Sequence, residues 1–321
     1  MENTANFILP GMYEHFGLNC RLIELMETEP EIFRSGVKIG AVYGNFQFCI
    51  FDGGRIFSAY RHTNREEMEF MVSRYNKAGI PVRLIFTNPV VPETSFKNRF
   101  GQATLEICNA SGMNEIVVNN DKLGEYIRNN YSGFSYISST TKCLSSPAAF
   151  REEFAKPEYK MVCLDYNLNH NQKMLDEIAM EDRSKCEFLV NAICPPGCPN
   201  RKEHYRLNGL FSLNYGKSYT ISSCGITNGT LHPVMCNSVN NISPEDIFEK
   251  YVPNGFVNFK LEGRTLGVLE NACNYARYMI KPEYQLSAIT DLISESSNSK
   301  IFNNYTTSVI SDYSVAPLNN Q

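Results

Sequence analysis

The sequence predicts a single closed (β/α)8 barrel of the TIM type. Three observations carry that prediction: short apolar runs alternate with helical stretches along most of the chain, eight such runs can be found, and no glycine-rich GxGxxG turn is present. Consecutive parallel strands need helical crossovers of this kind, and eight of them close a barrel. An open doubly wound sheet is the chief rival, but it would place its ligand at a switch in strand order, usually behind a glycine-rich first turn. Gly53–Gly54 is too short for that purpose and reads as a turn.

The first clear strand is VKIGAVYG, Val37–Gly44. In the following NREEMEFMVSRYNKAG, Asn64 can cap a helix and Glu67 stands at the third position of a capping box. Met68, Met71, Val72 and Tyr75 then recur at the helical interval and give it an apolar face. IPVRLIFTN is the second strand. A helical stretch around residues 98–110 precedes NEIVVNN, KLGEYIRNNY precedes FSYISST, and SSPAAFREEFA, with Pro147 near its start, precedes YKMVCLDYN. Residues 171–182 read as a further helix before CEFLVNAI, and SPEDIFEKY precedes GFVNFKLEG. Leu231–Cys236 supplies the remaining strand. The barrel thus spans residues 1–285, with 286–321 as a C-terminal helix and tail packed on it.

Residues just past the carboxyl ends of barrel strands share one face. Polar residues gather there: Tyr43, Asn45, Thr87, Asn88, Asn119, Asn120, Thr140, Thr141, Asp165, Asn167, Asn169, Asn191, Glu262 and Arg264. Strands buried on both faces should be apolar in their middles and polar only where they emerge. Asp165, Glu262 and Arg264 directly abut VCL and FKL, which makes them the candidate catalytic residues.

A net charge of -4 provides no broad basic field and argues against a protein that holds nucleic acid through its phosphates. No run reaches eighteen apolar residues, and the amino terminus lacks the segments of a signal peptide, so a cytoplasmic protein without a membrane span is expected. Eleven cysteines in such a chain do not suggest a disulfide framework. Cys49, Cys108, Cys163 and Cys186 each sit in an apolar stretch, as buried small hydrophobes do.

Four other cysteines stand apart. NAICPPGCPNRKEHY places Cys194 and Cys198 in a C-x3-C directly after a strand, and its Pro-Pro-Gly interior would bend the backbone so that both sulfurs face one centre. Cys224, in SSCGITNG, and Cys236, in PVMCN, lie in Gly-, Ser- and Asn-rich surroundings. Four thiolates suit an iron–sulfur cluster or zinc; structural zinc prefers tighter pairs than the C-x11-C spacing here. Arg201, Lys202 and His204 would add a cationic patch beside the thiolates.

The segments YKMVCLDYN, NAICPPGCPNRKEHY and ISPEDIFEKYVPNGFVNFKLEGRT together resemble the so-called U32 peptidase family, whose relatives include the paired UbiU/UbiV type and RNA-hydroxylation proteins. The most specific match is FKLEGR, Phe259–Arg264, and the resemblance covers roughly residues 155–280. It implies a barrel with a [4Fe–4S] cluster held by Cys194, Cys198, Cys224 and Cys236, with Glu262 and Arg264 in the pocket. It also implies oxygen-independent oxidoreductase or hydroxylase chemistry on a small or medium-sized substrate, with Arg264 suited to an anionic group. A cluster- or zinc-bearing subunit that works with a partner of the same family is the second reading. Peptide hydrolysis and RNA modification are weaker ones: neither G-x-S-x-G nor H-E-x-x-H is present, and composition shows no positive track.

Overall fold

Eight parallel strands close on one another in sequence order in the computed structural model, which describes residues 4–55, 63–214 and 238–298. They are β1 (Ala5–Pro10), β2 (Val37–Gly44), β3 (Val82–Phe86), β4 (Glu115–Val118), β5 (Ser135–Ser138), β6 (Met161–Cys163), β7 (Cys186–Leu189) and β8 (Asn258–Lys260). The ring is completed by β8 against β1, with Phe7 opposite Phe259 and Ile8 opposite Lys260. The predicted (β/α)8 class is the observed one.

One strand assignment differs. The segment ANFILP, unmarked in the sequence reading, is β1. Leu231–Cys236 lies outside the described residues, and β7 pairs directly with β8, which leaves no place for a strand between them. ANFILP has no apolar–polar alternation because five of its six residues are buried, and it ends on Pro10. Period-two patterning, the usual mark of a strand, is absent from such a run.

Among the described residues ten helices follow in turn: α1 (Phe16–Thr28), α2 (Arg65–Lys77), α3 (Arg99–Asn109), α4 (Asp121–Asn130), α5 (Pro147–Phe154), α6 (Gln172–Asp176), α7 (Arg201–Leu213), α8 (Pro244–Asp246), α9 (Val268–Met279) and α10 (Gln285–Asn298). The helix expected over 171–182 is broken: α6 stops at Asp176, Ala179 is extended with ψ 143°, and a 3-10 turn covers Met180–Lys185. SPEDIFEKY is also less regular than expected, since α8 gives way to a π-helical turn over Ile247–Tyr251. At the far end α10 packs on α9 and α1, burying Ala288 and Leu292.

Many of the chain's asparagines act as local connectors. Asn64, Asn98, Asn120 and Asn171 accept hydrogen bonds from Glu67, Gly101, Leu123 and Met174 backbone N–H groups at the starts of α2, α3, α4 and α6. Each satisfies a donor that the first helical turn leaves unpaired. Asn45, Asn88 and Asn169, past β2, β3 and β6, donate instead to buried carbonyls of Ile85, Ile50 and Leu189. A short amide that both accepts and donates suits the crowded loops at the strand ends.

The outward faces of the strands, including Leu84, Ile116, Phe188 and Phe259, merge with the helices into one apolar core. Each such side chain contributes roughly 1.5–3 kcal/mol on full burial. Ile8, Ala41, Tyr43, Ile85, Val117, Ile137 and Met161 form a second apolar cluster inside the barrel. Cys49, Cys108, Cys163 and Cys186 are buried, as expected, and burial pushes the Cys49, Cys163 and Cys186 thiols up to about 12. No helix among the described residues is long and apolar enough to cross a membrane.

Candidate functional site

The inside of the barrel is more polar than the sequence rule for buried strands suggests. Arg83 of β3 is 1% exposed and bonds Glu115 of neighbouring β4 at 2.7 Å. Its other arm reaches Glu187 of β7, four strands around the ring and therefore on the opposite wall. Lys160 bonds the second Glu115 oxygen at 2.7 Å. Burial raises the Glu115 carboxyl, but Arg83 and Lys160 outweigh it and hold the group below the usual carboxylate range. Arg83, Glu115 and Glu187 lie near the amino ends of their strands and make a charged floor.

Above that floor, towards the carboxyl ends of the strands, lies a pocket with about 520 Å³ of open space. Its wall includes Tyr43, Thr87, Thr140, Thr141, Glu262 and Arg264, all marked at strand ends in the sequence, together with Arg55, Tyr205 and Lys260, which were not. Arg264 is buried and held by Asp52, with Nη2 2.6 Å from Oδ2 and Nη1 3.4 Å from Oδ1, while Glu14 lies 3.6 Å from Nε. Burial pushes the Glu14 carboxyl up, against the lowering influence of Arg264. Arg55 pairs with Glu262. Thr87 Oγ1 is buried in the wall with no hydrogen-bond partner among the described residues. Among the described lining residues the cations Arg55, Lys260 and Arg264 face a single carboxylate, Glu262.

Asp52 and Arg55 reach this position through a tight turn. Asp52 Oδ1 accepts from Gly54 N at 3.0 Å, and at Gly53 a Cβ would stand 2.6 Å from Asn88 Cα and 2.8 Å from the Thr87 carbonyl oxygen. Backbone cannot yield to such contacts as a flexible side chain can. Gly53→Ala is therefore expected to displace the turn and cost roughly 1–3 kcal/mol. A urea midpoint equal to wild type would show that the turn tolerates the methyl group.

The cysteine loop adjoins the pocket. Cys198 N donates to Pro195 O at 3.3 Å, and Gly197 has φ +63°, so Pro196-Gly197 occupy the centre of a type II turn. Cys194 and Cys198 flank and close this turn, and both are partly exposed, unlike the core cysteines. Cys194 packs on Tyr166, Leu189 and Ala192, and Leu189 also lines the pocket. Three anchors hold the loop. Glu262 Oε2 accepts from Ile193 N at 2.8 Å, Asn167 Oδ1 accepts from Gly197 N at 2.9 Å, and Asn191 exchanges two hydrogen bonds with the Glu262 backbone at 2.6 and 2.9 Å.

The fourth anchor revises the expected cationic patch. Arg201 is 4% exposed and turned inward: Nη1 bonds Asp165 Oδ2 at 2.6 Å, and Nη2 bonds Thr140 O and Oγ1 at 2.9 Å each. The guanidinium also lies 4.1 Å from the Tyr166 ring centroid. Lys202 remains exposed and His204 is half-buried on the same helix. A buried guanidinium needs a carboxylate and carbonyl acceptors, and the ends of β5 and β6 supply them.

The sequence-marked residues therefore fall into distinct places. Glu262 and Arg264 line the pocket, whereas Asp165 lies beneath the cysteine loop, bonded to Arg201 and Asn167. Cys194 and Cys198 share one loop, and Cys224 and Cys236 lie outside the described residues. Among the described residues no three His, Cys, Asp or Glu side chains converge as a metal site. Two of the three unmarked pocket residues, Arg55 and Lys260, escaped notice for different reasons. Arg55 follows what reads as a plain turn, while Lys260 sits inside a strand where an apolar residue is expected; a charged residue in the middle of FKL was the available signal.

No family model matches the chain, and no curated protein matches it significantly. Among solved structures it is similar to the U32 peptidase Mk0906, at 15% identity and a TM-score of 0.47, over 81% of this chain and 93% of that one. This is a weak, partial likeness to a U32 peptidase fold.

Proposed function

We propose that the protein is an iron–sulfur protein carrying out an oxygen-independent oxidation–reduction or hydroxylation on a small anionic substrate held at the barrel mouth. The observation that carries the reading is the pocket wall, where three cations face one carboxylate immediately beside a loop bearing two partly exposed cysteines. Fixed cations at the mouth of a partly open site can bind and orient an anion. Soft thiolates on an outward-facing turn suit a cluster better than they suit a core.

The described residues fit such a group as half of its ligand set: Cys194 and Cys198 would hold it from the loop after β7, with Cys224 and Cys236 proposed to complete it. When bound, the cluster supplies electron transfer. The protein's own residues then have separate tasks. Glu262 ties the cysteine loop to the end of β8 through Ile193 N, while its other oxygen pairs with Arg55. Arg264, steadied by Asp52, presents positive charge to the pocket. Asp165 acts through Arg201 to fix the base of α7 and is a positioning residue in this scheme.

Protein purified without oxygen should contain about four iron and four acid-labile sulfide per chain. Cys194→Ala and Cys198→Ala should each abolish most of that content and the accompanying visible absorption. Stoichiometric zinc in place of iron would recast the site as structural or hydrolytic, and metal-free protein after anaerobic reconstitution would remove the oxidoreductase reading.

A further inference from the structure

Half-buried Lys142 and exposed Lys160 each make a close ion pair. Lys142 Nζ lies 2.6 Å from a Glu153 oxygen, and Lys160 Nζ lies 2.7 Å from one of Glu115. Lys260 is different. Its side chain leaves β8 towards the barrel interior, is only 7% exposed, and lines the pocket. Its nearest carboxylate oxygen, Glu187 Oε1, stands 3.9 Å away, a loose ion pair beyond hydrogen-bonding distance, while the other Glu187 oxygen pairs with Arg83. Nζ lies 4.2 Å from the Tyr43 ring centroid and makes no hydrogen bond among the described residues. Its ion pair with the floor is thus longer than those of Lys142 and Lys160.

The surroundings of Nζ also matter chemically. Burial, with Arg83 and Arg264 nearby, lowers the amine's affinity for a proton, against the raising influence of Glu187 and Cys163. Desolvation and neighbouring cations are the means by which a lysine becomes a nucleophile near neutral pH. The same pocket presents Arg55 and Arg264, which can orient a carboxylate, and Thr87 Oγ1, a buried hydroxyl without a partner among the described residues.

We infer that Lys260 is a covalent catalytic residue that forms an imine with a small 2-oxo acid bound in the barrel mouth. This deepens the proposed function and rests on its anion-binding pocket, though not on the cluster. The neutral Nζ lone pair attacks the carbonyl carbon, forming the C–N bond as the C=O π pair moves to oxygen, which takes up a proton while the nitrogen releases one. Loss of that oxygen as water, with a second proton, breaks the C–O bond and leaves the protonated imine. The sum is amine plus carbonyl plus one proton giving iminium plus water, with no change in oxidation state. The resulting cation withdraws electrons from the adjacent carbon, which is how such a lysine assists chemistry next to a carbonyl.

The test is reductive trapping of the anaerobically purified full chain with sodium borohydride and pyruvate or 2-oxoglutarate, followed by peptide mass mapping. A single adduct on Lys260 is expected, falling to background in Lys260→Arg, which keeps the charge and volume but not the nucleophile. Binding of lactate and 2-hydroxyglutarate, which lack the carbonyl, is measured in parallel by calorimetry on wild type and on Lys260→Arg. Hydroxy-acid binding without any Lys260 adduct would overturn the imine and leave the anion-binding pocket standing. Absence of both would overturn the two together, and adducts confined to surface lysines would overturn the imine. Thermal unfolding of Lys260→Arg, expected to match wild type, separates loss of trapping from loss of fold.

Discussion

Arg83→Met is expected to cost the barrel about 3–5 kcal/mol, a large share of what holds an ordinary domain together. The guanidinium joins β3 both to its neighbour β4, through Glu115, and to the opposite wall, through Glu187. Methionine fills comparable volume but leaves two buried carboxylates short of their partner, and uncompensated buried charge is the expensive part of breaking such a pair. Urea unfolding monitored by circular dichroism gives the measurement. A loss below about 1 kcal/mol would mean that the floor relaxes or admits water, and that the network does little for stability.

The same network gives the wild-type protein a defined acid response. Because Glu115 is held below the usual carboxylate range, its ionised form contributes stability above the unfolded value of about 4.3. That contribution is lost as pH falls through the lower, folded value. Wild-type stability should therefore decline on acidification below about pH 4, and Arg83→Met should show a smaller share of that decline.

Arg201→Met is expected to be the second severe change, by roughly 3–5 kcal/mol. It removes the partner of Asp165, which is 1% exposed, and two hydrogen bonds to Thr140. Its local consequence is sharper than its global one, since Arg201 opens α7 only three positions after Cys198. The turn bearing Cys194 and Cys198 would lose its attachment to the ends of β5 and β6. With the cluster proposed above, iron content per chain should fall along with the melting temperature, and Arg201→Lys should recover little of either, because an ammonium cannot span Asp165 and Thr140 as a planar fork does. Unaltered iron content in a destabilised Arg201→Met would show that Glu262 and Asn167 suffice to hold the loop.

Legibility in the sequence followed the range of each signal. Asn64, Pro147 and the Met68–Tyr75 face marked α2 and α5 because caps and periodic faces are written within one or two helical turns. Tyr43, Thr87, Thr140, Thr141, Glu262 and Arg264 were legible as pocket residues because they stand where strands emerge. Asp165 satisfied the same rule and yet lies under the cysteine loop, since position along a strand does not say which neighbour will claim the side chain. Arg55 carried no mark, as its place depends on Gly53 meeting the Asn88 backbone from another loop.

The sequence by itself determined the alternation of strands and helices, hence the barrel class, and the bend of the C-x3-C turn, because both are set by neighbours along the chain. Only the tertiary structure decided that ANFILP closes the ring and that Arg83 meets Glu187, 104 residues away, across the interior. It alone left Lys260 without a hydrogen bond, among the described residues, in the pocket wall. The physical reason is that closure of the barrel brings side chains of β3, β7 and β8 into one small space, and their mutual distances depend on register and ring size that no local pattern carries.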